Sequence, residues 1–341
     1  MKHYSTQIIL LVVILILLSI LHISIGKVTI GWQEWKHLFD TTSNENAYSK
    51  EIILYNRIPT LLTAIIAGAA LAISGMQMQI LFRNPVAGPF VLGISSGASL
   101  FVALFLMSSS ILGIAFIQIP FVEYSGIVVS AFIGSILIAL VILYISRKVA
   151  SISTVLIVGL LLSGVAGAVV NLLESIADKN ALQSFVFWSF GSFQNLSYMQ
   201  LIILAVVVFI GLLSALPTLK ASNLLQINDA FAQQNGVPVQ RTKTLLIISS
   251  TILASAITAY CGPIAFVGLA VPHACRSLIG SSNNIKLFPV VLLMGSIVCV
   301  ACSIICNVPF IEMNIPINVI TSIIGGPVVI YMLIKKPIDY K

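Results

Sequence analysis

Charge is what this sequence has least of. Only 8% of its 341 residues are Asp, Glu, Lys or Arg, while 59% are apolar. A soluble domain keeps about a quarter of its residues charged, so a water-exposed surface over most of the chain is excluded. Acids are scarcer than bases, ten against seventeen, for a net charge of +7. A basic balance can mean a nucleic-acid partner, but here Lys and Arg stand singly rather than in a patch, which argues against one.

Histidines and cysteines are also few, four and five. His3, His22, His37 and His273 are far apart, and only His273 stands in a motif-like context, so no catalytic constellation forms and no enzymatic activity is expected. The chain has no G-x-x-x-x-G-K-[ST], and so does not cradle nucleotide phosphates in that way. A proton-coupled carrier keeps a carboxylate or His inside a span as its relay, and Glu174 is the one candidate. Cys299, Cys302 and Cys306 share a helical face at a spacing that can hold a soft metal. No His or acid accompanies them, so they read as small apolar residues at a crowded interface, and neither metal nor cofactor is expected.

Long apolar runs are what the sequence does have. At about 20 residues per span, they predict helices at roughly 7–26, 58–82, 90–107, 120–146, 152–175, 197–218, 244–261, 263–279, 287–308 and 315–334. Residues 1–341 then form one all-α polytopic membrane domain of about ten transmembrane helices. The first run is longer than a secretion-signal core and lacks an A-x-A-like site, so it reads as a retained span. With the N-terminus inside, the inner segments hold twelve cations and two acids, and the outer segments five cations and eight acids. This asymmetry predicts a protein of the cytoplasmic membrane with both termini in the cytoplasm.

Three segments lie outside the spans. Residues 27–57, with Trp32, Trp35 and Tyr48, suit an outer interfacial segment. Residues 176–196 suggest a short outer surface helix. Residues 219–243 form the longest inner loop, with room for a short helix ended by Gly236 and Pro238.

The stretch Gly75–Ser99 organises the chain. An apolar helix enters it and another leaves it. Between them lies the turn Arg83-Asn84-Pro85-Val86-Ala87-Gly88-Pro89, in which two prolines fix φ and remove backbone donors. In Cys261–Gly280, Gly262-Pro263 and Pro272-His273 break the helix twice, which is tolerated at membrane depth only inside protein or beside water. Small residues recur at helical spacing: Gly68, Ala72 and Gly75 on one span, and Gly159, Ser163, Gly167 and Asn171 on another. Such faces pack helices tightly or line a wide, weakly polar conduit, and both readings stay open for the second set.

RNPVAGPFVLGISSGAS and GPIAFVGLAVPHACRSLIG resemble the two signature segments of FecCD-type permeases, the membrane subunits of ABC importers for iron-siderophores, haem and cobalamin. The likeness runs on through RIPTLLTAIIAGAALAISGMQMQ and IGGPVVIYMLIKK. The resemblance implies ten helices per subunit and a second permease subunit, giving a homodimer around a central pathway. It also implies two separate ATP-binding cassette subunits inside and a substrate-binding protein outside. By similarity, Asn84 and Val86 with Ser151, Ile152 and Ser153 close the pathway at its cytoplasmic end. Asp229, Ala232 and Gly236 match the loop that docks on the ATPase, where Asn235 replaces the usual Leu. Arg57 remains from an outer R-x-P-R that here reads Arg57-Ile-Pro59-Thr60, and would contribute to docking the binding protein. Asn314-Ile-Pro316-Ile-Asn318 replaces E-x-P-x-G, and Asn307 holds the place of an outer Arg.

The expected function is the permease subunit of an ATP-driven importer carrying a ferric siderophore or haem, with cobalamin as the alternative. A secondary transporter is disfavoured by the missing relay, and an intramembrane enzyme by the missing cluster of nucleophiles or ligands.

Overall fold

The computed structural model describes residues 2–26, 47–112, 120–149, 152–194, 196–308 and 315–335, and every regular element among them is helical. In chain order these are α1 (Lys2–Ser24), α2 (Ala47–Ile52, continued by a π turn Ile53–Arg57), α3 (Ile58–Phe82), a 3₁₀ turn (Pro89–Leu92), α4 (Ile94–Leu112) and α5 (Pro120–Lys148). There follow α6 (Ile152–Ile176), α7 (Lys179–Phe190), α8 (Tyr198–Ala215), α9 (Thr218–Leu225) and α10 (Asp229–Gln234). The chain closes with α11 (Val239–Cys261), α12 (Val267–Ile279), α13 (Asn284–Cys306) and α14 (Ile317–Lys335). Trp32, Trp35 and Ser151 lie outside the described residues.

Among the described residues, seven helices are long and apolar enough to cross a membrane, and three shorter apolar helices accompany them. These correspond to the ten predicted spans. The 219–243 loop holds more helix than expected. Pro217 stops α8 and opens α9 at Thr218, so α9 comes before the predicted short helix, which is α10.

Helix α3 is the axis of the bundle, packed against α8, α11, α12 and α13. Its inward positions are small: Ala64, Ala67, Ala70 and Ala72 are fully buried. Lipid tails are as apolar as Leu, so helices associate in a membrane through close packing and interhelical hydrogen bonds. At Gly75 a Cβ would fall 1.7 Å from the Gly268 carbonyl oxygen, and at Gly68 one would fall 2.1 Å from that of Gly295. Only hydrogen fits at these two crossings. Next to the Gly75 crossing, towards α11, Ser74 and Ser250 share a 2.7 Å hydroxyl contact, and Gln77 donates to Ser249 Oγ at 2.8 Å. Such bonds contribute about 0.6–2 kcal/mol each within a bilayer, and here they fix the register of α3 against α11.

Candidate functional site

The site is built where α3 ends. Arg83 takes a left-handed conformation (φ 47°, ψ 38°), and its backbone N–H points back to the Gln79 and Ile80 carbonyls. A non-glycine residue there costs roughly 1–2 kcal/mol, so surrounding contacts must hold it. Asn84 Oδ1 accepts from the Val86 N–H at 3.0 Å, and the Ala87 N–H donates to the Asn84 carbonyl at 3.1 Å, closing a tight turn. The fully buried Gln79 ties this turn down: Nε2 donates to the Pro85 carbonyl at 2.9 Å and the Leu269 carbonyl at 3.0 Å, while Oε1 accepts from Arg276 Nη1. The turn is thereby strapped to α12, which follows the break at Gly262-Pro263 but runs on as one helix through Pro272 and His273, where the sequence predicts a second break; Pro272 is accommodated within the helix.

The Arg83 side chain reaches away from the bundle core. Its Nε donates to the Leu225 carbonyl at 2.7 Å, at the C-terminus of α9, where a cation is favoured. Its Nη2 pairs with Asp229 Oδ1, and Lys243 Nζ pairs with Asp229 Oδ2. One carboxylate thus bridges the end of α3, the start of α10 and the first turns of α11. Partial burial alone would raise the pKa of Asp229. The hydrogen bond and charge of Lys243, with those of Arg83, outweigh it and hold the carboxyl below its ordinary range. The Asp229 side chain is 45% exposed, so each pair contributes under about 1 kcal/mol. The node sets geometry more than stability.

Helix α10 is short but capped at both ends. Asn228 Oδ1 accepts from the Phe231 N–H at 2.6 Å. At the other end Gly236 (φ 79°) donates to the Gln233 carbonyl and Val237 to the Ala232 carbonyl, the paired bonds of a Schellman cap. Ala232 is fully buried beneath the helix, while Phe231 on it and Ile227, just before its N-cap, are exposed. Asn235 folds its Nδ2 back onto the Phe231 carbonyl at 2.8 Å.

The structure treats the remaining predicted residues unequally. Asn84 and Val86 are half-buried in the turn, Ile152 is the first residue of α6, and Ser153 beside it is exposed. Gly159 and Ser163 pack where the 3₁₀ turn runs into α4: a Cβ on Gly93 would lie 2.9 Å from Ser163 Oγ and 3.2 Å from the Gly159 carbonyl. Further along the same face Gly167 meets open space and Asn171 is exposed. At the opposite end of the bundle Arg57 is only 6% exposed and donates to the Ile23 and Ser24 carbonyls, closing the C-terminus of α1. Asn307 accepts from Gln194 at 2.7 Å, and Asn318 accepts from the Ala265 N–H at 3.2 Å. At these two positions neutral amides clasp connecting segments together.

Sequence reasoning missed the Gln79 strap and the shared carboxylate. The strap had a signal, since Gln77 and Gln79 are amides within an apolar span; Asp229 itself stands out as a lone acid in a basic loop, but nothing beside it names Arg83 as a partner.

A family profile described as the FecCD transport family matches residues 11–335. The chain is 32% identical over 327 residues to the hemin transport system permease protein HmuU of Yersinia pestis, covering 96% of this chain and 94% of that one. It is 30% identical over 340 residues to the vitamin B12 import system permease protein BtuC of Vibrio parahaemolyticus serotype O3:K6, covering 98% and 96%. Its fold matches a solved inward-facing ABC transporter of the metal-chelate type with a TM-score of 0.84 at 26% identity, covering 97% of this chain and all of that one. The protein belongs to the FecCD transport family and is a multi-pass membrane permease of the ABC importer class.

Proposed function

We propose that this chain is half of a homodimeric importer that passes an iron chelate, ferric siderophore or haem, into the cytoplasm. The observation that carries the reading is the doubly capped α10. It presents Phe231 outward, beside the exposed Ile227 just before its start, and is held through Asp229 to the end of α3. A rigid, apolar-tipped helix tied to the central helix is a lever that a partner can push, and we assign that partner as an ATP-binding cassette subunit. The Arg83 end then faces the cytoplasm, in keeping with its cations. Ala232 and Gly236 keep the lever in shape. The turn at Asn84 and Val86, with Ser151, Ile152 and Ser153, closes the pathway, and Gly167 and Asn171 line it. Gly159 and Ser163 hold α6 against the 3₁₀ turn that leads into α4. An extracytoplasmic binding protein docks at the opposite end, around Arg57, whose own side chain secures α1.

Haem or a ferric siderophore leads because one curated relative is named for hemin transport and the structural match is of the metal-chelate type. Cobalamin is the second reading, supported by the 30% identity to vitamin B12 permeases. The deciding experiment reconstitutes the permease with its ATPase in vesicles and measures ATP-dependent uptake of haem, a ferric siderophore and cobalamin in parallel. Uptake of cobalamin alone would overturn the iron-chelate reading. Uptake driven by an ion gradient without ATP would overturn the importer arrangement.

A further inference from the structure

Beside the Asp229 node a cavity of about 930 Å³ opens between the end of α5, α10 and the start of α11. Its floor is apolar, with Leu81, Val149, Val237, Val239 and Ile247. Its rim carries Arg147, Lys148, Arg241 and Lys243. Asp229 is the only acid among its lining residues, and Arg83 and Lys243 already hold both of its oxygens. Among the described residues, no acid pairs with Arg147, Lys148 or Arg241.

We propose that this groove binds the phosphate head group of an anionic phospholipid. Three cations around an apolar floor call for an anion with a greasy body. What lies next to the groove identifies which one. Leu137, Leu140, Val141 and Tyr144 are exposed at three- and four-residue spacing on α5, so they form one stripe leading to Lys148. Lys148 Nζ sits 4.5 Å from the centre of the Tyr144 ring, at the end of this stripe. A head group on the cationic rim would lay its acyl chains along the stripe, covering charge and apolar surface together. A soluble anion, or the acidic face of a water-soluble protein, would cover only the charge. Basic pockets between helices at the membrane surface are suited to such lipids, with each Lys or Arg contributing about 1 kcal/mol. The bound lipid would touch Lys243, one of the two cations on Asp229, and so couple membrane composition to the node. The proposal requires only that this end of α5 and α11 lies at a membrane surface, whichever side that is.

The test places the full-length protein in phosphatidylcholine nanodiscs with short-chain phosphatidylglycerol in both leaflets and counts retained phosphatidylglycerol by native mass spectrometry. Arg147→Gln, Lys148→Gln and Arg241→Gln together should cut the preference for phosphatidylglycerol by about a hundredfold, since each of the three cations is worth about fivefold. The charge-preserving set Arg147→Lys, Lys148→Arg and Arg241→Lys should keep it. Should the neutral triple variant fail to fold, Arg241→Gln alone carries the test with a loss of about fivefold. An unchanged preference in the neutral variants overturns the proposal. So does displacement of the lipid by inorganic phosphate, which would make this a soluble-anion site. Loss of ATPase binding with lipid preference intact overturns it too, by making the groove a protein contact.

Discussion

Arg83, which ends α3, holds Asp229, which begins α10, and Lys243 holds the same carboxylate from α11. A push on α10 therefore reaches the central helix through one charged contact. Asp229→Asn should lower ATP-driven uptake about tenfold, equivalent to roughly 1.4 kcal/mol of lost coupling, while hydrolysis continues. Arg83→Gln should act in the same direction. Because Asp229→Asn already removes the Arg83 contact along with that of Lys243, the double variant should be little worse than Asp229→Asn alone. Additive losses in reconstituted vesicles would mean that the two residues act separately.

The same carboxylate predicts a pH dependence. Burial pushes its pKa up, and Lys243 and then Arg83 more than reverse that. A depressed carboxylate contributes stability above its unfolded value of about 3.9 and loses it as pH falls through the folded value. The melting-temperature gap between the native protein and Asp229→Asn should thus stay constant from about pH 5 upward and close only in stronger acid. A gap that shrinks between neutral and mildly acidic pH would exclude the shared ion pair.

The glycine crossings predict opposite outcomes for similar substitutions. Gly75→Val places its side chain within the space of the Gly268 backbone, and overpacking of this kind costs about 1–3 kcal/mol or more. Gly164 meets nothing within 4 Å, so Gly164→Val should leave thermal stability in detergent unchanged. Equal melting temperatures for the two variants would refute the α3–α12 crossing.

How much of this was legible in the sequence follows the reach of each signal. Spans are announced by composition over some twenty consecutive residues, and α3, α5 and α6 fall where the apolar runs placed them. The Pro85 and Pro89 turn is equally local, because proline acts on its own φ and on its neighbour. The Arg83–Asp229 contact joins residues 146 apart in sequence, and no pattern at either position specifies the other. Arg57 shows the converse limit. The resemblance implies a docking role for Arg57, and nothing local in the sequence announces that its side chain also turns inward onto the last carbonyls of α1. Burial is set by the partner helix, which a lone arginine does not encode.

Arg57 can be examined directly. Arg57→Ala should destabilise the protein by about 1–3 kcal/mol, because the α1 carbonyls lose their donor. It should change the salt dependence of binding-protein association only modestly, since an exposed rim charge is what governs encounter rate. A variant with native stability but a flattened ionic-strength dependence would restore the side chain itself as the docking contact.

The turn at Asn84 and Val86 carries the last prediction. If it closes the pathway, two copies must approach one another near the axis of the dimer. An apolar constriction holds back water and ions without any charge, and half-buried Val86 is of that kind. The turn is not free to flap. Gln79 grips the Pro85 carbonyl, and Asn84 closes its own loop onto the Val86 N–H. Closure must therefore come from movement of α3 and α4 as bodies, driven through Arg83. A cysteine introduced as Val86→Cys in the assembled transporter should crosslink to its twin in one nucleotide state and lose that crosslink in another. Four of the five native cysteines, Cys261, Cys275, Cys299 and Cys302, are buried, and Cys306→Ser removes the half-buried fifth so that competing reactions are limited. A turn that merely reverses the chain at the membrane surface would never crosslink, or would do so regardless of nucleotide. Adding Gln79→Ala to the same background should slacken the strap and blur the nucleotide dependence, giving intermediate crosslinking in both states. A crosslink still fully switched by nucleotide after loss of Gln79 would move the stiff element elsewhere in α3.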